Sequence, residues 1–204
     1  RLSLDWANLE DWPNLKDACL TPYCYAGENK VMNADQRVVE KIKAAFPDAI
    51  EETNTFRGEQ TLFIRKERLK GVFQVLKKEP QLSYKFLSDI CADDYLPEFP
   101  RFAVSYHLYS YDHNHRLRLR VWVDDPEEGP ETVGTVWAIG SWLEMEVWDL
   151  MGIRFQGNTH LRRLFLPEDW QGHPLRKDYP LGYEEVQFSF NWQEVDAKKP
   201  YAQE

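Results

Sequence analysis

Residues 172–182, GHPLRKDYPLG, set a His, an Arg, a Lys and an Asp between two prolines and two glycines. Such a stretch can act on a substrate, or it can hold charge on a stiff backbone for another surface to meet. Asp112, His113 and His115 in YDHNH are close enough in sequence to share a metal ion. A catalytic zinc usually takes three protein ligands, however, and no other His lies near, so hairpin-tip residues explain the motif better. Glu144, Glu146 and Asp149 raise the question of paired carboxylates. On a helix Glu146 and Asp149 are neighbours at i,i+3 while Glu144 points elsewhere. Acid–base pairs generally face each other across a cleft from different elements, so capping, dipole and partner-facing roles fit these residues better. Gly129 and Gly134 have P-loop spacing, but Thr135 and Val136 stand where Lys and Ser or Thr belong. Neither GxGxxG nor GxSxG occurs, so the usual grips for NADH or FAD phosphates and the nucleophile elbow are both missing.

The totals narrow the classes further. A chain of 204 residues, 43% hydrophobic and 29% charged, has the composition of a globular protein with one sizeable core. Its apolar runs fall far short of the roughly 18 residues that a membrane span needs. A net charge of −9 argues against a nucleic-acid partner, which requires concentrated Lys and Arg. Cys19, Cys24 and Cys91 are odd in number and form no CxxC pair. That disfavours a disulfide framework, a structural zinc or an iron–sulfur cluster held by this chain alone, and points to a reducing compartment. The sequence begins at Arg1 rather than Met, so residues are expected to precede it.

The elements that must position these residues follow from periodicity. Residues 1–32 show no sustained period and read as an extended arm. NADQRVVEKIKAAF opens a helix, with Asn33 able to cap and Val38, Val39, Ile42, Ala45 and Phe46 on one stripe. EQTLFIR reads as a short strand and RLKGVFQVLKKEP as a helix stopped by Pro80. A strand is expected around YKFLSDICADD. In RFAVSYHLYS and HRLRLRVWV, apolar residues alternate with polar ones, and Arg116, Arg118 and Arg120 share the face opposite Leu117, Leu119 and Val121. That arginine stripe reads as a solvated face paired with acidic neighbours, with subunit docking as the alternative. GSWLEMEVWDLMG reads as a helix with Ser141 and Glu144 as a capping box and Gly152 as its close. PEDWQG suits one helical turn. The fold class is α+β: a mixed, largely antiparallel sheet packed with helices over residues 33–170. An N-terminal arm (1–32) and a basic docking segment with C-terminal tail (171–204) flank it.

Two features set the end of the chain apart. From Leu150 to Leu181 five Arg or Lys face three Asp or Glu, a local +2 in a chain of −9. In EVQFSFNW, Val186, Phe188, Phe190 and Trp192 alternate with polar residues. Burying those four side chains would roughly offset the cost of ordering the stretch, so as a strand it needs a waiting surface, its own sheet edge or a partner's.

The stretch LEMEVWDLMGIRFQGNTHLRRLFLPEDWQGHPLRKDYPLGYEEV closely resembles the signature region of the 30-kDa (C) subunit family of respiratory complex I, the proton-pumping NADH:quinone oxidoreductase. A weaker likeness runs back through FLSDICADDY, RFAVSYHL and RLRLRVWV. The resemblance implies a non-catalytic, structural subunit of the complex's hydrophilic arm, on the cytoplasmic face of a bacterial membrane or the matrix face of a mitochondrion. It implies no cofactor in this chain, with FMN and the iron–sulfur clusters held by partner subunits, and it implies bracing of the 49-kDa (D) and PSST (B) subunits. Matching positions, taken as partner-binding, are Glu144, Glu146, Asp149, Arg162, Arg163, His173, Arg176, Lys177, Asp178 and Tyr179; the tail aromatics Phe188, Phe190 and Trp192 join them. The family's usual Glu-Arg-Glu is Glu144-Met145-Glu146 here, and Met cannot imitate the forked guanidinium donor. Pro174 and Pro180 bias the residues before them toward extended backbone, and Arg176 is expected to bond carboxylate or backbone oxygens of a neighbour. Equivalent subunits of membrane-bound hydrogenases or ferredoxin- or F420-linked complexes share the signature. A soluble peptide-binding adaptor and a hydrolase using Glu146 and His173 are the readings of other classes.

Overall fold

The alternating residues of the two central strands decide the architecture. In the computed structural model, which describes residues 28–180 and 188–198, they are β4 (Phe102–Ser110) and β5 (His115–Val123), antiparallel with Val104 opposite Val121 and Tyr106 opposite Leu119. Before them in sequence come α1 (Glu28–Ala45), β1 (Ile50–Phe56), β2 (Glu59–Ile64), α2 (Leu69–Lys78) and β3 (Phe86–Asp94); after them come α3 (Gly140–Met151) and α4 (Trp192–Lys198). The five strands lie in the order β1-β2-β5-β4-β3, with only the β2–β5 pair parallel. The sheet is therefore mixed and largely antiparallel, as the alternation implied.

One face of the sheet is apolar and meets the helices. Leu62 and Ile64 of β2, Leu117 to Val123 at alternate positions of β5, and Val104, Tyr106 and Leu108 of β4 are buried in one cluster with Val38 and Ile42 of α1. The same cluster takes in Leu69, Val72, Phe73 and Leu76 of α2, and Val147 and Met151 of α3. Each of the four α2 residues, fully removed from water, contributes about 1.5–3 kcal/mol. Phe73 also packs edge-on against Tyr106 and Trp137, with ring centroids 4.9 and 5.4 Å apart. The opposite face carries the arginine stripe. Arg118 pairs with Glu59 at 3.2 Å and Arg120 with Asp93, so two of the three arginines meet acidic neighbours as expected. Cys91 lies on this face too, with Sγ 3.4 Å from His107 Nε2. Cys19 and Cys24 lie outside the described residues.

Several elements differ from the sequence expectation. Helix α1 starts at Glu28, so Asn33 is inside it rather than at its cap; ENKVM contains good helix formers and no breaker. The rest of the expected N-terminal arm lies outside the described residues. Strand β1 has no alternation to betray it, because it is an edge strand exposed along nearly its whole length. The YDHNH side chains diverge instead of converging on an ion: Asp112 pairs with Lys85 at 2.8 Å, the His113 ring reaches the Pro80 carbonyl at 3.1 Å, and His115 turns inward between Tyr84 and Asp35. Pro167–Trp170 closes a single hydrogen-bonded turn. The described part of the expected tail strand is not extended: Phe188–Asn191 form a turn, with the Phe188 amide donating to Asn191 Oδ1 at 2.6 Å, and Trp192 starts α4. An Asn side chain that captures a nearby amide competes with strand pairing. Val186 and Gln187 lie outside the described residues.

Candidate functional site

A helix leaves its last four carbonyls without intrahelical donors, and α3 ends among the residues that the sequence singled out. Gly152 takes the left-handed conformation (φ 74°) and donates to the Trp148 carbonyl at 2.8 Å, the C-terminal close expected of it. The remaining carbonyls are met by the loop that follows. Asp149 O accepts from Arg163 Nη1 at 3.0 Å and from His173 Nδ1 at 2.9 Å; because a carbonyl only accepts, this nitrogen carries the ring proton. Leu150 O accepts from the Leu175 amide at 3.1 Å, and Met151 O from Arg176 Nε at 2.6 Å. Gly152 O accepts from Arg176 Nη2 at 3.3 Å. Two guanidiniums at a helix C-terminus also complement its partial negative charge. A Cβ on Gly152 would collide with Arg176 and His173, so this glycine is required for the close approach as well as for its φ.

Arg176, expected to bond a neighbouring subunit, donates from Nε and Nη2 to this chain's own carbonyls at the end of α3. Asp149 is likewise turned inward, fully buried. Its Oδ2 accepts from the amides of Leu164, Phe165 and Leu166 at 3.0, 2.8 and 3.1 Å, and its Oδ1 accepts from Arg163 at 3.0 Å. Burial alone would raise the carboxyl's pKa, but the three amides and Arg163 together outweigh it and hold the group below its ordinary value. Arg163 also donates to the carbonyls of Trp170 and Gly172, at 2.9 and 3.0 Å, and lies over the Trp148 ring. Burial pushes the pKa of His173 down, consistent with a neutral ring in this bond.

A second knot holds the rest of the basic segment. Asp94, at the end of β3, accepts two bonds from Arg101, at 3.1 and 2.9 Å, and one each from the amides of Leu96 and Lys177, at 3.0 and 2.9 Å. Against the opposing effect of burial, these bonds keep its carboxyl far below the ordinary range. Arg101 bridges onward to Asp178 at 2.8 Å, Lys177 Nζ reaches the Leu96 carbonyl at 3.1 Å, and Tyr179 OH donates to the Gln171 carbonyl at 3.3 Å. Asp94 and Arg101 were not singled out by the sequence, since nothing local in ADDY or PRF announces a partner some 80 residues later.

Glu144 corrects the capping-box reading. α3 begins at Gly140, which puts Ser141 inside the helix and Glu144 beyond reach of the first turn. Its fully buried carboxylate instead accepts from Thr132 Oγ1 at 2.7 Å, the Val133 amide at 2.6 Å and Asn158 Nδ2 at 2.8 Å. Burial dominates over these neutral donors and raises its pKa. Glu146 and Arg162 remain without an ion-pair partner among the described residues. Phe188 and Phe190 stack at 5.2 Å, and these two rings and Trp192 are exposed. The structure thus joins Asp149, Arg163, His173 and Arg176 in one network at the end of α3, ties Lys177 and Asp178 into a second around Asp94 and Arg101, and leaves Glu146, Arg162 and the tail aromatics out of both.

This is an α+β domain whose basic loop is locked to the end of its own helix, an arrangement that orders a surface rather than opening a cleft. Residues 62–185 match the model of the respiratory-chain NADH dehydrogenase 30-kDa subunit. The C subunit of the NADH-quinone oxidoreductase of Roseiflexus sp. is 43% identical over 82% of this chain and 96% of its own length, and that of Geotalea uraniireducens is 45% identical over 74% and 90%. A trypsin-resistant fragment (1–134) of Nqo5 shares the fold at a TM-score of 0.52 and 33% identity, covering 61% of this chain and 97% of the fragment. A chain of an archaeal membrane-bound sulfane sulfur reductase complex matches in fold at a TM-score of 0.61 over 83% of this chain and 95% of that one, with 17% identity. The chain belongs to the 30-kDa subunit family of respiratory-chain NADH dehydrogenase. None of its described helices is long and apolar enough to cross a membrane.

Proposed function

We propose that this chain is a non-catalytic brace in the hydrophilic arm of a complex I-type NADH:quinone oxidoreductase. In this reading it seats against the subunits that carry the clusters and the quinone site, the 49-kDa (D) and PSST (B) subunits. FMN and the iron–sulfur clusters belong to partner subunits, and the chain sits on the cytoplasmic side of a bacterial inner membrane, the setting suggested by its bacterial relatives. The observation that carries this reading is the engagement of the signature charges. Asp149, Arg163, His173 and Arg176 are all bonded to this chain's own backbone or side chains. Groups so bound are poorly placed to take up or release a proton in a reaction, but well placed to give a loop one shape. That loop carries Phe165 and Leu175 on its exposed side, the kind of apolar contact that a partner covers.

Exchange of Arg176 for Ala in the host cell tests the proposal. The amount of intact complex on native gels should fall strongly, while NADH:quinone turnover per assembled complex, normalised to bound flavin, stays near that of the unaltered complex. Full assembly with lost turnover would overturn the reading and return Arg176 to the chemistry.

A further inference from the structure

Glu144 and Asp149 sit on the same helix, and each fixes one end of the same short stretch of loop. Asn158 is tied to Glu144 at 2.8 Å and to the Ser141 carbonyl at 3.3 Å, and its own Oδ1 accepts from the His160 amide at 2.9 Å. Arg163 is tied to Asp149. Between these anchors, residues 159–162 stand off from α3 and leave a groove of about 530 Å³. Met145, 3% exposed, lines it, as does Trp142, 52% exposed. Arg162 lines the other wall and, like Arg57 and Arg116, has no ion-pair partner among the described residues, but of these three it alone lies in this groove.

We infer that this groove, between α3 and residues 159–162, is a preformed docking slot for a neighbouring subunit's segment that inserts an apolar side chain against Trp142 and Met145 and sets an adjacent Asp or Glu on Arg162. The inference rests on the bracing role and names the contact through which it acts. Charge complementarity selects the occupant: the groove's one permanent charge is an unanswered guanidinium, and a carboxylate can take it in bidentate fashion. The composition agrees, since Trp, Met and Arg are enriched where interfaces bind most strongly. The loop wall is anchored at both ends to the buried carboxylates of Glu144 and Asp149, so less ordering remains to oppose binding. The GHPLRKDYP segment, by contrast, is engaged inside the chain.

The test places charge-reversed and charge-kept variants in the assembled complex. Arg162→Glu should reduce the fraction of the chain found in intact complex by about tenfold, and Arg162→Lys should hold it within about twofold. Arg116→Glu, on the far face of the sheet, should leave it within about twofold of the unaltered chain. Purified Arg162→Glu should unfold at the temperature of the parent, since Arg162 makes no ion pair among the described residues; should it not fold, Arg162→Gln serves with the same expected loss in weaker form. Benzoylphenylalanine in place of Trp142, irradiated in the intact complex, should cross-link to another subunit at a stretch where an apolar residue adjoins Asp or Glu. Unaltered assembly of Arg162→Glu overturns the inference, as does a cross-link to residues 1–27 of the same chain, to a second copy, to a stretch without a carboxylate, or to no protein at all. If Arg176→Ala impairs assembly and Arg162→Glu does not, the groove fails and the brace stands. If neither impairs it, the brace fails.

Discussion

Glu144 and Asp149 are both carboxylates, both fully buried and both on α3, yet they are held in opposite ways. Asp149 meets a guanidinium and three amides and is kept ionised, its pKa below the ordinary value. Glu144 meets a hydroxyl, an amide nitrogen and a side-chain amide, all neutral, and its pKa is raised. Removing a charge from water is costly, and only an opposite charge together with saturating hydrogen bonds restores the balance. The Asp149 end is therefore an electrostatic lock on residues 163–176, while the Glu144 end is a polar joint between residues 132–133 and 158. The same residue class at nearly the same depth gives two devices because the loops that reach it differ.

Asp149→Ala should be the most damaging change, since it leaves Arg163 buried without its partner and three amides without an acceptor. A loss of about 3–5 kcal/mol is expected in denaturant unfolding of the purified chain. A loss under about 1 kcal/mol would mean that the lock is ornamental. Gly152→Ala should come next, at about 1–3 kcal/mol, because Ala strains the left-handed position and its methyl displaces Arg176 and His173. The same measurement checks it, and the loss should shrink when Arg176 is already Ala.

Glu144→Gln should have the smallest effect, about 1 kcal/mol, because its one amide oxygen can still accept from Thr132 and Asn158 and only the Val133 amide loses its acceptor. The two carboxyls also predict opposite slopes with pH. Asp149 binds its proton more weakly folded than unfolded, so its contribution is full above its ordinary value of 3.8 and is lost as pH falls through the lower folded value. Glu144 binds its proton more tightly folded, so its contribution is full below 4.5 and is lost as pH rises through the higher folded value. Stability measured across this range should lose its acid-side fall in Asp149→Asn and its rise-side fall in Glu144→Gln. Identical profiles for the two variants would erase the contrast.

The sequence made visible what depends on period and caps. The alternation of β4 and β5, the α2 stripe and the Gly152 close all follow from spacing within one element, and the signature residues from Glu144 to Tyr179 identified the family. What stayed hidden depends on partners brought from afar. Lys177 meets Asp94 and Arg101 meets Asp178 across intervals of 83 and 77 residues, and no local pattern records such pairings. Arg176 looked outward because its neighbours Pro174 and Pro180 suggested a stiff exposed strip; the unsatisfied carbonyls of α3 drew it inward. The Glu144 box failed by two residues of helix register, since the N-cap is Ile139 rather than Ser141, and β1 escaped notice because an exposed edge strand needs no alternation.

Amide hydrogen exchange at Leu164, Phe165 and Leu166 in the purified, partner-free chain tests most directly whether the signature charges lock the loop by themselves. The account predicts that all three amides are strongly protected and lose that protection together in Asp149→Ala, which removes their shared acceptor. Exchange at the rates of an open loop in the parent chain would contradict it, and would assign the ordering of this region to the partner subunits instead.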